Sequence, residues 1–159
     1  MSTAGLNVRR AAPADRPVLE ALWAAFMVEQ AALDPRVTPS PDAIQRARAT
    51  LADLIRGDGG TLFVADRAGE VVAFLAAEWY TDAPVYAFVP EVHLLELYVT
   101  PEVRKQGVAR ALLDEAEAWA RDAGAKRLRM SVLWQNEASR RLVEQWGVEP
   151  LAVSFTRDL

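Results

Sequence analysis

Apolar residues recur along this chain in two periods, and the switches between them mark its elements. Over residues 14–33 the side chains Leu19, Leu22, Trp23, Phe26 and Met27 stand at i, i+3, i+4, i+7 and i+8, one face of a helix. Pro17 is tolerated there because it falls in the first turn. Core packing accounts for the aromatic stripe more simply than a ligand role does. A proline-rich loop, 34–41, follows. A second helix is then expected from a cap at Ser40 or Asp42 to about Arg56, where Gly57-Asp-Gly-Gly60 stops it. The helix predicted over 107–123 places Val108, Leu112, Ala116, Trp119 and Ala123 on one stripe, with Gly124 as its C-cap. A last helix, 137–146, is bracketed by Asn136 as N-cap and Gly147.

Between these helices the pattern reads as strands: 6–10, 61–65, 71–80, 91–99, 127–133 and 148–157. Residues 66–69, Asp-Arg-Ala-Gly, join the second and third as a hairpin turn. The loop 81–89 displays Tyr86 and Phe88 beside Trp79 and Tyr80. These aromatics wall a substrate site in one reading and plug the core in another. The order β-α-α-β-β-β-α-β-α-β predicts one α/β domain over 1–159, layered around a mixed central sheet.

The stretch from His93 to Arg110 carries the chemistry. Its first half, 93–99, is a buried strand ended by Thr100-Pro101. Then come Arg104, Lys105, Gln106, Gly107, Val108 and Ala109, and a helix begins. A strand running through a glycine- and cation-bearing loop into a helix N-terminus is an anion site. The first helical amides lack intrahelical partners, and the helix dipole favours negative charge. Gly107, without a Cβ, lets the backbone approach a phosphate, and Arg104, Lys105 and Arg110 add positive charge.

These residues resemble the acetyl-CoA pyrophosphate loop of the GNAT N-acetyltransferases, Arg/Gln-x-x-Gly-x-Gly/Ala. Here it is Arg104-x-x-Gly107-x-Ala109, preceded by Leu97-Tyr-Val-x-Pro-Glu102. A second segment in register is similar to the family's Asn-x-x-Ala-x-x-Leu-Tyr-x-x-x-Gly-Phe. This chain has Asn136, Leu142 and Gly147, but Ser139 for Ala, Val143 for Tyr and Val148 for Phe. The resemblance covers about residues 61 to 159. It implies a GNAT-like fold with helices on both faces of the sheet, acetyl-CoA as co-substrate with no metal, and direct transfer of acetyl to a primary amine. It also implies that amides of Gln106 to Arg110 hold the pyrophosphate. A splayed central strand would then offer backbone groups near Leu97, Tyr98 and Val99 to the pantetheine arm and the thioester carbonyl, with Asn136 and Ser139 alongside.

The resemblance leaves the proton chemistry open. An alkylamine has a pKa of about 10.4, so a base is needed. Glu96 and His93 in the central strand are the candidates, with Glu78 a weaker third. Three apart, Glu96 and His93 point to opposite faces unless a bulge intervenes. The family's general acid, a Tyr, is Val143 here, with Tyr98 and Ser139 as possible substitutes. Loss of that acid also admits a second reading, a catalytically reduced acyl-CoA-binding module.

Composition narrows the classes. With no cysteine and one histidine, disulfides, Cys- or His-rich metal sites and a cysteinyl acyl-enzyme are excluded. The net charge of −4 argues against nucleic acid and fits a cationic acceptor. No apolar run is long enough to span a membrane and the first residues lack a signal-peptide core, so a cytoplasmic location is the expectation. Homodimerisation is expected by analogy alone.

Overall fold

The computed structural model describes residues 5–80 and 88–157. In chain order the elements are β1 (Leu6–Arg10), α1 (Arg16–Leu33), α2 (Ala43–Arg56), β2 (Gly60–Arg67), β3 (Glu70–Tyr80), β4 (Glu91–Val99), α3 (Val108–Asp122), β5 (Arg127–Met130) and α4 (Glu137–Trp146). Among the described residues one five-stranded sheet forms, in the order β1-β2-β3-β4-β5. The first three pairings are antiparallel and β4–β5 is parallel, so the sheet is mixed.

Strands β2 and β3 are apolar on both faces, which is why a helix layer covers each. Phe63, Ala65, Ala73, Leu75 and Ala77 face a cluster with Val108, Leu112, Leu113, Ala116 and Ala120 of α3. Their alternates Leu62, Val64, Phe74 and Ala76 face Leu19, Leu22 and Trp23 of α1 and Leu51 and Leu54 of α2. Trp23 stacks on Phe74 at 5.3 Å between ring centroids. The α1 stripe thus packs as expected. In α3 the expected stripe rotates slightly: Trp119 is half-buried and Ala123 exposed, while Leu113 and Ala120 join the core.

Local chemistry sets the ends. Arg67 pairs with Glu70 across Ala68 and Gly69, whose φ values of 54° and 84° are both positive, as a type I′ turn requires. Asn136 accepts a hydrogen bond from the Ser139 amide at 3.1 Å, capping α4, and Gly147 ends it in the left-handed region. Asp42 precedes α2 but bonds Ser40 and Arg46 side chains instead of capping the helix. Asp15 ties α1 to β1, accepting from Arg9 at 2.7 and 2.9 Å and from the Ala12 amide at 2.7 Å.

Two expectations are corrected. The strand at 127–133 stops at Met130, and residues 131–133 turn away to line a cleft. The strand at 148–157 does not form; those residues have no regular structure and are mostly exposed.

Candidate active site

The cleft exists because β4 parts company with both neighbours. Against β3 the register steps from Leu75↔Leu97 to Ala77↔Leu94, two residues on β3 against three on β4, so a bulge lies at Leu95–Glu96. Against β5 the pairing runs only from Glu91↔Arg127 to Leu94↔Met130. Beyond Leu94 the two parallel strands separate, and backbone groups of β4 that face β5 have no strand partner there. The gap opens a cleft that is continuous with solvent at its mouth.

The cleft is lined by Leu95, Glu96 and Leu97 of the bulged strand, by Phe26 and Gln30 of α1, and by Asn136, Ser139 and Val143 at α4. Ser131, Val132 and Leu133 of the loop after β5 form a further wall, and Leu75 of β3 and Leu113 of α3 add apolar lining. Gln135 of that loop donates to Asp34 at 3.0 Å, linking it to the end of α1. Sequence reasoning missed Phe26 and Gln30 as lining residues. The signal was present, since they stand four apart on the helix face already assigned to packing.

Glu96 is the chemically distinctive group. Its Oε2 is buried and has no hydrogen-bond partner among the described residues. Burial, and secondarily the negative charge of Glu78, push its carboxyl up to about 7. A carboxylate kept unpaired and close to neutrality is suited to exchanging a proton at physiological pH.

His93, Tyr98 and Glu78 are not brought to the cleft lining. His93 has Nε2 2.8 Å from Oε1 of buried Glu91, and its ring stacks on Tyr80 at 4.3 Å. Arg129 and Arg127 also pair with Glu91. The bulge removes the parity that set His93 and Glu96 on opposite faces, yet His93 stays hydrogen-bonded to Glu91. Tyr98 packs among Phe26 and Phe74 and donates to Glu29 at 3.3 Å, and its hydroxyl is held above its ordinary value by burial and by Glu29. Of the two substitutes for the family Tyr, only Ser139 reaches the cleft. Of the loop aromatics, Trp79 packs against Trp119 at 6.2 Å, Phe88 is exposed and Tyr86 lies outside the described residues.

The loop from β4 to α3 has the sharp backbone turn expected of an anion site. Lys105 and Gly107 have φ of 59° and 83°, turning the backbone sharply before α3, and no side chain caps the helix. Lys105 has no carboxylate partner among the described residues. Arg104 is committed elsewhere. It donates to the Val99 carbonyl at 2.8 Å and to both Glu29 oxygens at 2.7 and 2.8 Å, clamping the loop to α1. Gln106 accepts from Arg67 at 2.7 Å and donates to the Glu102 carbonyl at 3.1 Å. Arg110 pairs with Asp114 at 2.8 Å, Val108 is buried in the core, and Ala109 is half-buried. Leu97 and Val99 are partly buried against the core cluster that contains α3, and of the two only Leu97 also lines the cleft. An uncapped helix start, a glycine in the left-handed region and a free lysine fit a pyrophosphate, and the splayed strand fits an extended amide-bearing arm.

Comparisons with known proteins agree with this geometry. A family model described as acetyltransferase (GNAT) family matches residues 18–148. An aminoglycoside N(6')-acetyltransferase type 1 of Stenotrophomonas maltophilia is 31% identical over 123 residues, 77% of this chain and 72% of that protein. The fold is shared with a variant of the BH1408 protein from Bacillus halodurans, at TM-score 0.83 and 14% identity over 96% of this chain and 99% of that one. It is shared also with aminoglycoside N-acetyltransferase AAC(6')-Iy in complex with CoA, at TM-score 0.73 and 20% identity over 96% and 94% of the two chains. The chain therefore belongs to the GNAT acetyltransferase family and is an acetyl-CoA-dependent N-acetyltransferase.

Proposed function

We propose that the protein transfers acetyl directly from acetyl-CoA to a primary amine of a small polycationic molecule of the aminoglycoside kind, with both substrates bound together and Glu96 as general base. The single observation that carries this is Glu96: a buried, unpartnered carboxylate at about 7, placed at the bulge where the cleft is lined from both α1 and α4. Acetyl-CoA supplies the activated acetyl thioester. The amides of Gln106 to Arg110 and the Lys105 ammonium hold its phosphates. Amides of the splayed strand near Leu97 and Tyr98 donate to the carbonyl oxygen as negative charge develops on it. Glu96 takes the proton from the incoming ammonium, directly or through one water, so that the free amine attacks. Val143 has no proton to give, and a thiol of pKa about 8.5 is a good enough leaving group to depart as thiolate. Ser139 and Asn136 stand at that side of the cleft.

The acceptor class rests on three supports. The 31%-identical relative acts on aminoglycosides by its name, the chain is acidic overall, and Glu78 adds a second carboxylate near Glu96 without a cationic partner among the described residues. A panel of amines assayed by release of free thiol from acetyl-CoA tests it. Aminoglycosides are expected to give the highest kcat/KM, above monoamines and peptide amines. CoA binding with no amine-dependent release on any member would reject the transfer reading. Release confined to peptide amines would reject the acceptor class alone.

A further inference from the structure

The C-terminal half of α1 walls the cleft while packing only loosely itself. Leu19, Leu22 and Trp23 bury the first part of the helix, and every residue from Ala24 to Leu33 is half-buried or exposed. Phe26 and Gln30, which line the cleft, belong to that looser half. Local opening is easiest where few apolar groups are buried, so such a wall stands where its polar contacts hold it. Two are in place. Gln135 donates to Asp34 at the end of the helix. Arg104 donates from one nitrogen to both Glu29 oxygens, at 2.7 and 2.8 Å, and from Nε to the Val99 carbonyl at 2.8 Å. Its guanidinium also lies 5.6 Å from the centroid of the Tyr98 ring, whose hydroxyl donates to the same Glu29. Glu29 shares a turn of α1 with Phe26 and Gln30, so what fixes Glu29 fixes both lining residues.

We propose that Arg104 and Glu29 are positioning residues for the acceptor: their ion pair sets the α1 wall against the bulged strand, so that Phe26 and Gln30 meet the amine in the cleft that holds Glu96. This deepens the proposed function and rests on its placing of the amine in that cleft. A role in stability is the weaker account of the pair. Both side chains are 41% exposed, and an ion pair so open to water contributes little to folding. A role in cofactor charge is weaker too. The guanidinium uses two of its nitrogens on protein oxygens, and the Glu29 carboxylate offsets the charge it would offer a phosphate. Arg104 opens the loop that leads to the proposed phosphate-binding amides, so the same pair registers the sites of the two substrates against each other.

Glu29→Gln, Arg104→Gln and the double variant test this, with the amine of highest kcat/KM in the panel as acceptor. Each single variant is expected to raise KM for the amine about 10-fold, with kcat within about threefold and the calorimetric Kd for acetyl-CoA within about twofold of wild type. The double variant should be no worse than either single, because all three remove one interaction. Hydrogen exchange without substrate should quicken at 26–33 in all three. An Arg104 that serves a phosphate gives other signs: Arg104→Gln would weaken acetyl-CoA binding by about 10-fold or more, and Glu29→Gln, freeing the guanidinium, would tighten it. That result would overturn the proposal. So would additive effects on KM, or exchange at 26–33 that neither single variant changes. The exchange measurement needs no acceptor, so if no amine is acetylated the transfer reading fails and exchange alone decides whether the pair holds the wall.

Discussion

Glu96 sits at the balance of two opposing demands. Its raised pKa favours the protonated form in the folded state, so its contribution to stability is fullest below the unfolded carboxylate value and is lost as pH rises through about 7. The active base is the form present above that pH. Glu96→Gln should therefore separate function from stability. It is expected to lower kcat by ~10²–10⁴-fold, and at pH 8 to raise stability by roughly 1–3 kcal/mol, a few degrees in Tm. Thermal unfolding beside steady-state rates checks both signs, and a variant with wild-type kcat would remove Glu96 from the chemistry. Glu78→Gln should move the acidic limb of the rate profile below about 7, because the charge that helps hold Glu96 protonated is gone. Tyr98 gives the control. Its hydroxyl is engaged with Glu29 and lies off the cleft, so Tyr98→Phe should leave kcat within about threefold while costing ~1 kcal/mol of stability for the lost hydrogen bond.

At the scale of elements, the site is a strand that loses its neighbours and a helix that begins without a cap. Gly107→Glu tests the second. A carboxylate would be placed where the pyrophosphate is proposed to lie, on a residue whose φ of 83° already disfavours a side chain. Calorimetry is expected to show acetyl-CoA binding abolished in a variant that still folds, and unchanged affinity would move the cofactor site elsewhere. The elements that sequence made legible were those with local signals: the α1 stripe, the hairpin at 66–69, the Asn136 cap and the Gly107 turn. The bulge at Leu95–Glu96 was anticipated only as a possibility, because nothing in L-L-E-L marks which residue is extra; the pairing with β3 decides it. Arg104 reads as a phosphate ligand in sequence and is clamped to Glu29 of α1, 75 residues away, a contact no local pattern reveals. The segment 148–157 was legible as a strand by period but lacks a ladder within the described residues, and period alone cannot provide one.

For the whole molecule, the absence of cysteine and the acidic balance constrain how the reaction proceeds. With no cysteine to carry acetyl as a thioester, the proposed route brings both substrates together in the cleft, a gap that opens between β4 and β5 and is lined from α1 and α4. Double-reciprocal plots with acetyl-CoA and amine varied together should intersect, and parallel lines with an acetylated protein competent to pass its group on would contradict direct transfer. The claim that joins fold to function is that the strand bulge positions Glu96 to deprotonate an amine beside acetyl-CoA. The most direct measurement is the rate of amine-dependent thiol release from about pH 5 to 9, for wild type and Glu96→Gln side by side. The account predicts a wild-type kcat/KM that falls below about pH 7, and a variant that is slow throughout and lacks that limb. The same limb in the variant, or thiol release that does not depend on the amine, would contradict it.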